Sequence, residues 1–67
     1  MFIVMEIQVN GDQVATIVNK YAVRAAADQQ YHTILAAAAV SQVQIHSAVI
    51  LSADGKELER KSYIHEV

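Results

Sequence analysis

The sequence predicts an α+β fold: one small domain over residues 1–67 with two layers, a single helix on a mainly antiparallel four-stranded sheet, in the order β-β-α-β-β. Three observations predict it. Apolar residues alternate with period two in two separate stretches, an Asn-Gly or Asp-Gly dipeptide interrupts each stretch, and an alanine-rich block with helical spacing lies between them. Two hairpins and one helix make a sheet with one face covered.

Residues 2–9 form the first strand. Ile3, Met5, Ile7 and Val9 point one way, and Phe2, Val4, Glu6 and Gln8 the other. Asn10-Gly11 follows, and both residues tolerate the positive φ of a type I′ turn. With these two as the loop, Val9 faces Asp12, Ile7 faces Val14, Met5 faces Thr16 and Ile3 faces Val18. Val14, Thr16 and Val18 then share the face of Ile3, Met5 and Ile7, so register and apolar pattern agree. The second strand runs to Lys20-Tyr21, and Ala22-Val23 leads into the helix.

Arg24 to Ser41 reads as helix. Ala27, Tyr31, Ile34, Leu35 and Ala38 fall in one stripe, the spacing of a core-facing helix. Asp28, Gln29 and Gln30 give the early turns polar character, where an acidic residue suits the helix dipole. The opposite side holds Ala25, Gln29, Ala36 and Val40, with Ala39 and His32 beside them. Alanine there is either cheap surface, being the best helix former, or a smooth face for close helix–helix packing. No glycine or proline stops the helix.

Strand patterning resumes at once. Val43, Ile45, Ser47, Val49 and Leu51 share one face, and Gln44, His46, Ala48 and Ile50 the other. Asp54-Gly55 marks the second hairpin, with Lys56 to Ile64 returning. A two-residue loop pairs Leu51 with Leu58 and Ile45 with Ile64. A three-residue loop with Gly55 in a left-handed bulge pairs Ile50 with Leu58 and Ile45 with Tyr63. The pattern leaves both open.

Size makes association the central expectation. A chain near this length buries only about 60% of its unfolded surface, and small scaffolds are usually stapled by disulfides, metals or partner subunits. Cysteine is absent, which excludes disulfides, thiolate metal sites and thiol nucleophiles and fits a cytoplasmic location. The composition is nevertheless 54% hydrophobic. Its longest apolar run, Ile34 to Val40, is far short of a membrane span, and the apolar start is too short and wrongly flanked for a signal peptide. The expected partner is a second copy of the chain, a symmetric dimer being the commonest solution. Two candidate interfaces emerge: the outer side of the helix at Ala36, Ala39 and Val40, and an uncovered sheet face carrying Phe2, Val4 and Ile17, with Ala48 or Ile50.

Chemistry is harder to find. His32, His46 and His65 lack the paired spacing of a zinc site, so no metal or other cofactor is expected. In the two-residue-loop register His46 opposes Tyr63 and Gln44 opposes His65, which gathers His46, Tyr63 and His65 into a candidate polar surface site, read first as solvent-facing residues. Ser62 meets His46 only in the bulged register, and no oxyanion donor accompanies them. The acidic residues fall mostly in turns, the helix start and the last hairpin, where Asp12 and Asp54 are explained as turn residues. Both glycines are used in hairpins, leaving no phosphate-cradling loop. Net charge is -2, and Glu57 and Glu59 interleave with Lys56, Arg60 and Lys61, so nucleic-acid binding through the last hairpin and Tyr63 ranks low.

The leading expectation is therefore a non-enzymatic, homo-oligomeric interaction module. A peptide- or ligand-binding domain using an exposed sheet face or edge is the alternative. The short N-terminal hairpin, the Tyr31-His32 pair entering an apolar helix, and His46-Ser47-Ala48-Val49-Ile50-Leu51 before an Asp-Gly turn together resemble small uncharacterised proteins of Gram-positive bacteria and their prophages. The resemblance spans most of the chain. It implies a phage-derived or accessory role and brings no activity or functional residue with it.

Overall fold

A computed structural model describes residues 1–65. The elements follow the expected order: β1 (Phe2–Asn10), β2 (Gln13–Tyr21), α1 (Arg24–Val40), β3 (Ile45–Ser52) and β4 (Glu57–Ile64). All four strands form one antiparallel sheet in the order β2-β1-β3-β4, so β1 and β3 are central. Because β2 and β3 both run antiparallel to β1, they are parallel to each other, and α1 is the crossover between them.

The first hairpin turns one residue later than expected. Asn10 stays in β1, paired with Gln13, and the loop is Gly11-Asp12. Gly11 has φ +64°, and among the described residues no residue other than glycine has a positive φ. A type II′ turn needs glycine only at its first central position, whereas the expected type I′ turn would force Asn10 to positive φ as well. The change slides β2 by two residues, so Val9 meets Val14 and Met5 meets Val18. A slide of two preserves the faces, and Val14, Thr16 and Val18 do share the side of Ile3, Met5 and Ile7.

The second hairpin combines both registers left open by the sequence. Its tip is a three-residue loop: Ser52 N–H donates to Lys56 O at 2.9 Å, Gly55 N–H donates to Ser52 O at 2.9 Å, and Gly55 has φ +90°. A bulge then inserts Leu58, because Leu51 pairs with Glu57 but Ile50 pairs with Glu59. Beyond it the ladder runs in the two-residue-loop register, with Ile45 opposite Ile64 and His46 opposite Tyr63. The extra residue directs Leu58 toward the core, and like Phe2, Tyr21 and Leu35 it packs against the buried cluster.

The helix buries the expected stripe. Ala27, Tyr31, Ile34 and Ala38 are buried and Leu35 is half-buried. Beneath them lie Val4, Ala48 and Ile50, and fully enclosed alanines at positions 27, 38 and 48 let helix and sheet approach closely. Arg24 fastens the helix start. Its guanidinium bonds Asp28 at 3.0 Å, reaches Glu59 on β4 at 3.4 Å and lies 5.8 Å from the Phe2 ring centre.

This arrangement overturns the expected sheet face. Val4, Ala48 and Ile50 lie under the helix, Phe2 packs against the same core, and Ile17, opposite Glu6, lies on the same side at the β2 edge. None of them belongs to the uncovered face. The reason is topological. A crossover between parallel strands is right-handed in about 98% of cases, so chain handedness chooses the helix side before hydrophobicity does.

Candidate interaction surface

Turning the sheet over shows what the helix leaves uncovered. Paired residues on adjacent strands project to the same face, so the open side can be read as four rows crossing β2, β1, β3 and β4. The first, nearest the Gly11-Asp12 turn, is Val14, Val9, Ile45 and Ile64. The second is Thr16, Ile7, Ser47 and Ser62. The third is Val18, Met5, Val49 and Arg60, and the fourth is Lys20, Ile3, Leu51 and Glu57.

The two central strands contribute only one polar side chain to this face, Ser47. Its hydroxyl donates to Ser62 Oγ at 2.9 Å, so the pair satisfies itself within the sheet. That contact also places Ser62 beside Ser47 and away from His46, which removes the Ser62–His46 approach. Charge is confined to the end of the face farthest from the first turn: Lys20 at the β2 edge, and Glu57 and Arg60 at the β4 edge, 3.3 Å apart. Val14, Val18 and Ile64 are more than half exposed. An antiparallel sheet with one solvated face normally puts its polar residues there. Here the uncovered face is the more apolar one.

The covered face carries the polar cluster instead. His46 is buried at 4% exposure, which corrects its expected place on a solvent-facing strand. Its Nε2 lies 2.6 Å from Glu6 Oε2, and its Nδ1 lies 3.1 Å from Ser41 Oγ. Gln8 Nε2 donates to the same Glu6 oxygen at 2.9 Å, and Ser41 Oγ donates to Ala38 O at 3.3 Å. A carboxylate only accepts, so His46 Nε2–H donates to Glu6, and Nδ1 is left to meet the Ser41 hydroxyl. The chain of contacts links β1, β3 and the end of α1.

Serine, histidine and a carboxylate in line resemble the parts of a hydrolytic triad, but this geometry serves anchoring. Ser41 Oγ points at a helix-end carbonyl, where the dipole is negative, the wrong polarity for a developing oxyanion. A substituted fastening of the same helix end comes from His65, whose Nε2 donates to Ala38 O at 2.8 Å while its backbone N–H donates to Gln44 O at 2.8 Å. The His65 ring stacks on Tyr63 with centroids 6.4 Å apart. The candidate polar trio thus divides: Tyr63 and His65 adjoin, both half-buried, while His46 turns inward to Glu6.

The remaining predicted residues are where the helix wheel puts them. Ala36, Ala39 and Val40 are exposed on the outer side of α1. In the last hairpin Lys61 Nζ lies 5.2 Å from the Tyr63 ring centre, over the aromatic surface a nucleobase would need. Among the described residues no three metal-ligating side chains gather, and no helix is long and apolar enough to cross a membrane. A shallow hollow beside the first hairpin, lined by Gln8, Asn10, Gln13, Val14, Ala15 and Val43, carries no charged group.

Two ionisable groups report local structure. Burial pushes the Tyr31 phenol above its ordinary range, with Glu59 and Tyr63 adding to the shift. The Asp54 carboxyl is held below the usual carboxylate range, first by the Ser52 hydroxyl and then by its own and the Lys56 backbone N–H.

Sequence reasoning missed Glu6 and Ser41 as partners of His46. Glu6, the one charged residue of β1, was the available signal. It also assigned the Ile3, Met5 and Ile7 side to the core. Comparison with protein-family models, with curated proteins and with solved structures finds no match.

Proposed function

We propose that this protein is a non-enzymatic homo-oligomeric interaction module, with a dimer as the favoured assembly and the open sheet face as its interface. One observation carries the reading: the two middle strands present a single polar side chain to that face, Ser47, and its charges are confined to one end. Exposed apolar surfaces of this extent mark interaction sites. The outer helix side is the weaker candidate, since Gln29, His32 and Thr33 interrupt its alanines. The cytoplasm and an accessory, phage-derived context are part of the same proposal, the latter resting on the resemblance noted above.

Light scattering after size exclusion, across a concentration series, tests it. The expected mass is twice the 7.4 kDa of one chain. Met5→Lys, at the centre of the face, is expected to return the mass to one chain with the fold intact by circular dichroism, while Val40→Arg on the helix leaves the dimer in place. A wild-type protein that stays monomeric at high micromolar concentration would overturn the proposal.

A second reading is favoured by one feature. Residues Gln13 to Lys20 of edge strand β2 are all exposed, and Lys20 is the only charge among them. Such an edge can accept an added strand from a peptide. Retention of hydrophobic-dye binding by the purified oligomer would favour this alternative, because self-association would then have left apolar surface free.

A further inference from the structure

Resting on the self-association reading, we infer that two copies pack open face to open face about a two-fold axis running along the strands, between β1 and β3, so that Lys20 of one protomer meets Glu57 of its partner. The inference comes from the placement of charge on an otherwise apolar surface. Lys20 and Glu57 occupy opposite edges of the same row, at the two ends of Lys20, Ile3, Leu51 and Glu57.

A symmetric face-to-face dimer has its axis in the plane between the sheets. If the axis runs along the strands, it exchanges the edges and keeps every row on itself. Lys20 then lies over the partner's Glu57, and the reciprocal contact forms at the other edge. Thr16 meets the partner's Ser62, Met5 meets the partner's Val49 and Ile3 meets the partner's Leu51, while Ile7 meets the partner's Ser47 and Val18 lies under the partner's Arg60. An axis across the strands inverts the rows and sets Lys20 over the partner's Val14. One diagonal axis sets Lys20 over Lys20, and the other sets Glu57 over Glu57. Only the axis along the strands pairs both charges with opposite charges.

Size and twist agree with this choice. Four strands about 4.8 Å apart and about eight residues at about 3.4 Å each give a face on the order of 500 Å² per protomer. The total, about 1,000 Å², sits at the lower limit for a specific interface, as expected for a reversible dimer. Stacked sheets with their strands within about 30° of each other form the aligned packing class, and an axis along the strands generates it. Arg60, already 3.3 Å from Glu57, completes a three-charge cluster at each edge.

Charge reversal tests the axis. Lys20→Glu alone places two carboxylates at each edge contact, and Glu57→Lys alone places two ammonium groups there. Each variant is expected to remain folded and to self-associate about 10- to 30-fold more weakly, an effect that shrinks in high salt. Mixed one to one, the two variants should recover wild-type affinity as a heterodimer, since each edge regains an opposite pair. The double variant Lys20→Glu/Glu57→Lys should recover it in a homodimer. If the wild type dimerises but neither mixing nor the double variant restores affinity, this axis is wrong and self-association stands. A wild type that never dimerises overturns both.

Discussion

His46 provides the sharpest test of how the helix is held. Glu6 and Gln8 lie two apart on β1, Gln8 pairs with His46 across β3, and the imidazole bridges diagonally to Glu6 at 2.6 Å. The side chains of His46 and Glu6 are 5% and 16% exposed. Replacing His46 with leucine leaves Glu6 with Gln8 as its bonding partner, under a helix that limits access of water. Removing one member of a buried pair costs about 3–5 kcal/mol. Because Glu6 keeps the Gln8 bond and some solvent contact, the expected cost is near the lower end, about 3 kcal/mol. At roughly 0.05–0.15 kcal/mol per residue, a chain of this length has a total stability of roughly 3–10 kcal/mol. The single substitution therefore removes about three-tenths of the stability or more.

The double variant Glu6→Met/His46→Leu should behave differently. It removes both polar groups together, and apolar replacement of a buried pair is often neutral. Its expected cost is about 1 kcal/mol or less, which makes the coupling between the two sites about 2 kcal/mol or more. The assay is urea denaturation followed by circular dichroism, with all variants at one protein concentration because association is linked to folding. If His46→Leu costs less than about 1 kcal/mol, or if the two single costs simply add, the network does not anchor the helix and the reasoning fails.

Three further outcomes follow from local structure. The raised Tyr31 pKa means that the folded state favours the neutral phenol, so this contribution is complete below the ordinary tyrosine pKa of about 10 and is lost as pH rises through the higher folded value. Melting temperature should thus fall more steeply between pH 9 and 11 in wild type than in Tyr31→Phe, and equal slopes would refute this account. At Gly11, with φ +64° and no atom within 4 Å of an added Cβ, Gly11→Asn should be nearly neutral in thermal melts while Gly11→Val costs about 1–2 kcal/mol. Ala48→Leu should cost about 1–3 kcal/mol in urea, since Ala48 is fully enclosed beneath the helix and the larger side chain must push the two layers apart. A cost near zero would show that the layers yield freely.

The elements were legible because each rests on local chemistry. Alternation from Phe2 to Val9 marks β1, glycine at positions 11 and 55 marks the turns, and Ala27, Tyr31, Ile34 and Ala38 mark the buried stripe. The choice of sheet face was not local. Phe2 and Val4 are as apolar as Ile3 and Met5, so β1 offers a plausible core on either side. What decides is that β1 sits between β2 and β3, which turns α1 into a crossover with a preferred hand. The helix-end network was hidden for a related reason. Glu6 and His46 are forty positions apart, and no short spacing joins them.

The two faces of the sheet also explain each other. On the covered side Glu6, Gln8 and His46 make directional bonds that fasten the helix, work that apolar contacts alone do less specifically. On the open side the alternation that would have favoured solubility is reversed, and the one central polar residue, Ser47, is internally bonded to Ser62. A surface evolved only to face water has no need of such an arrangement, whereas a surface covered by another must satisfy its hydroxyls in advance. The edges bear this out. β2 is exposed along most of its length and open to unwanted strand addition, while Glu57, Arg60 and Lys61 give β4 a charged margin of the kind that discourages it. With the two-fold along the strands, the charged β4 margin of one protomer lies beside the β2 edge of its partner. The same dimer that covers the apolar face would then shield the less protected edge.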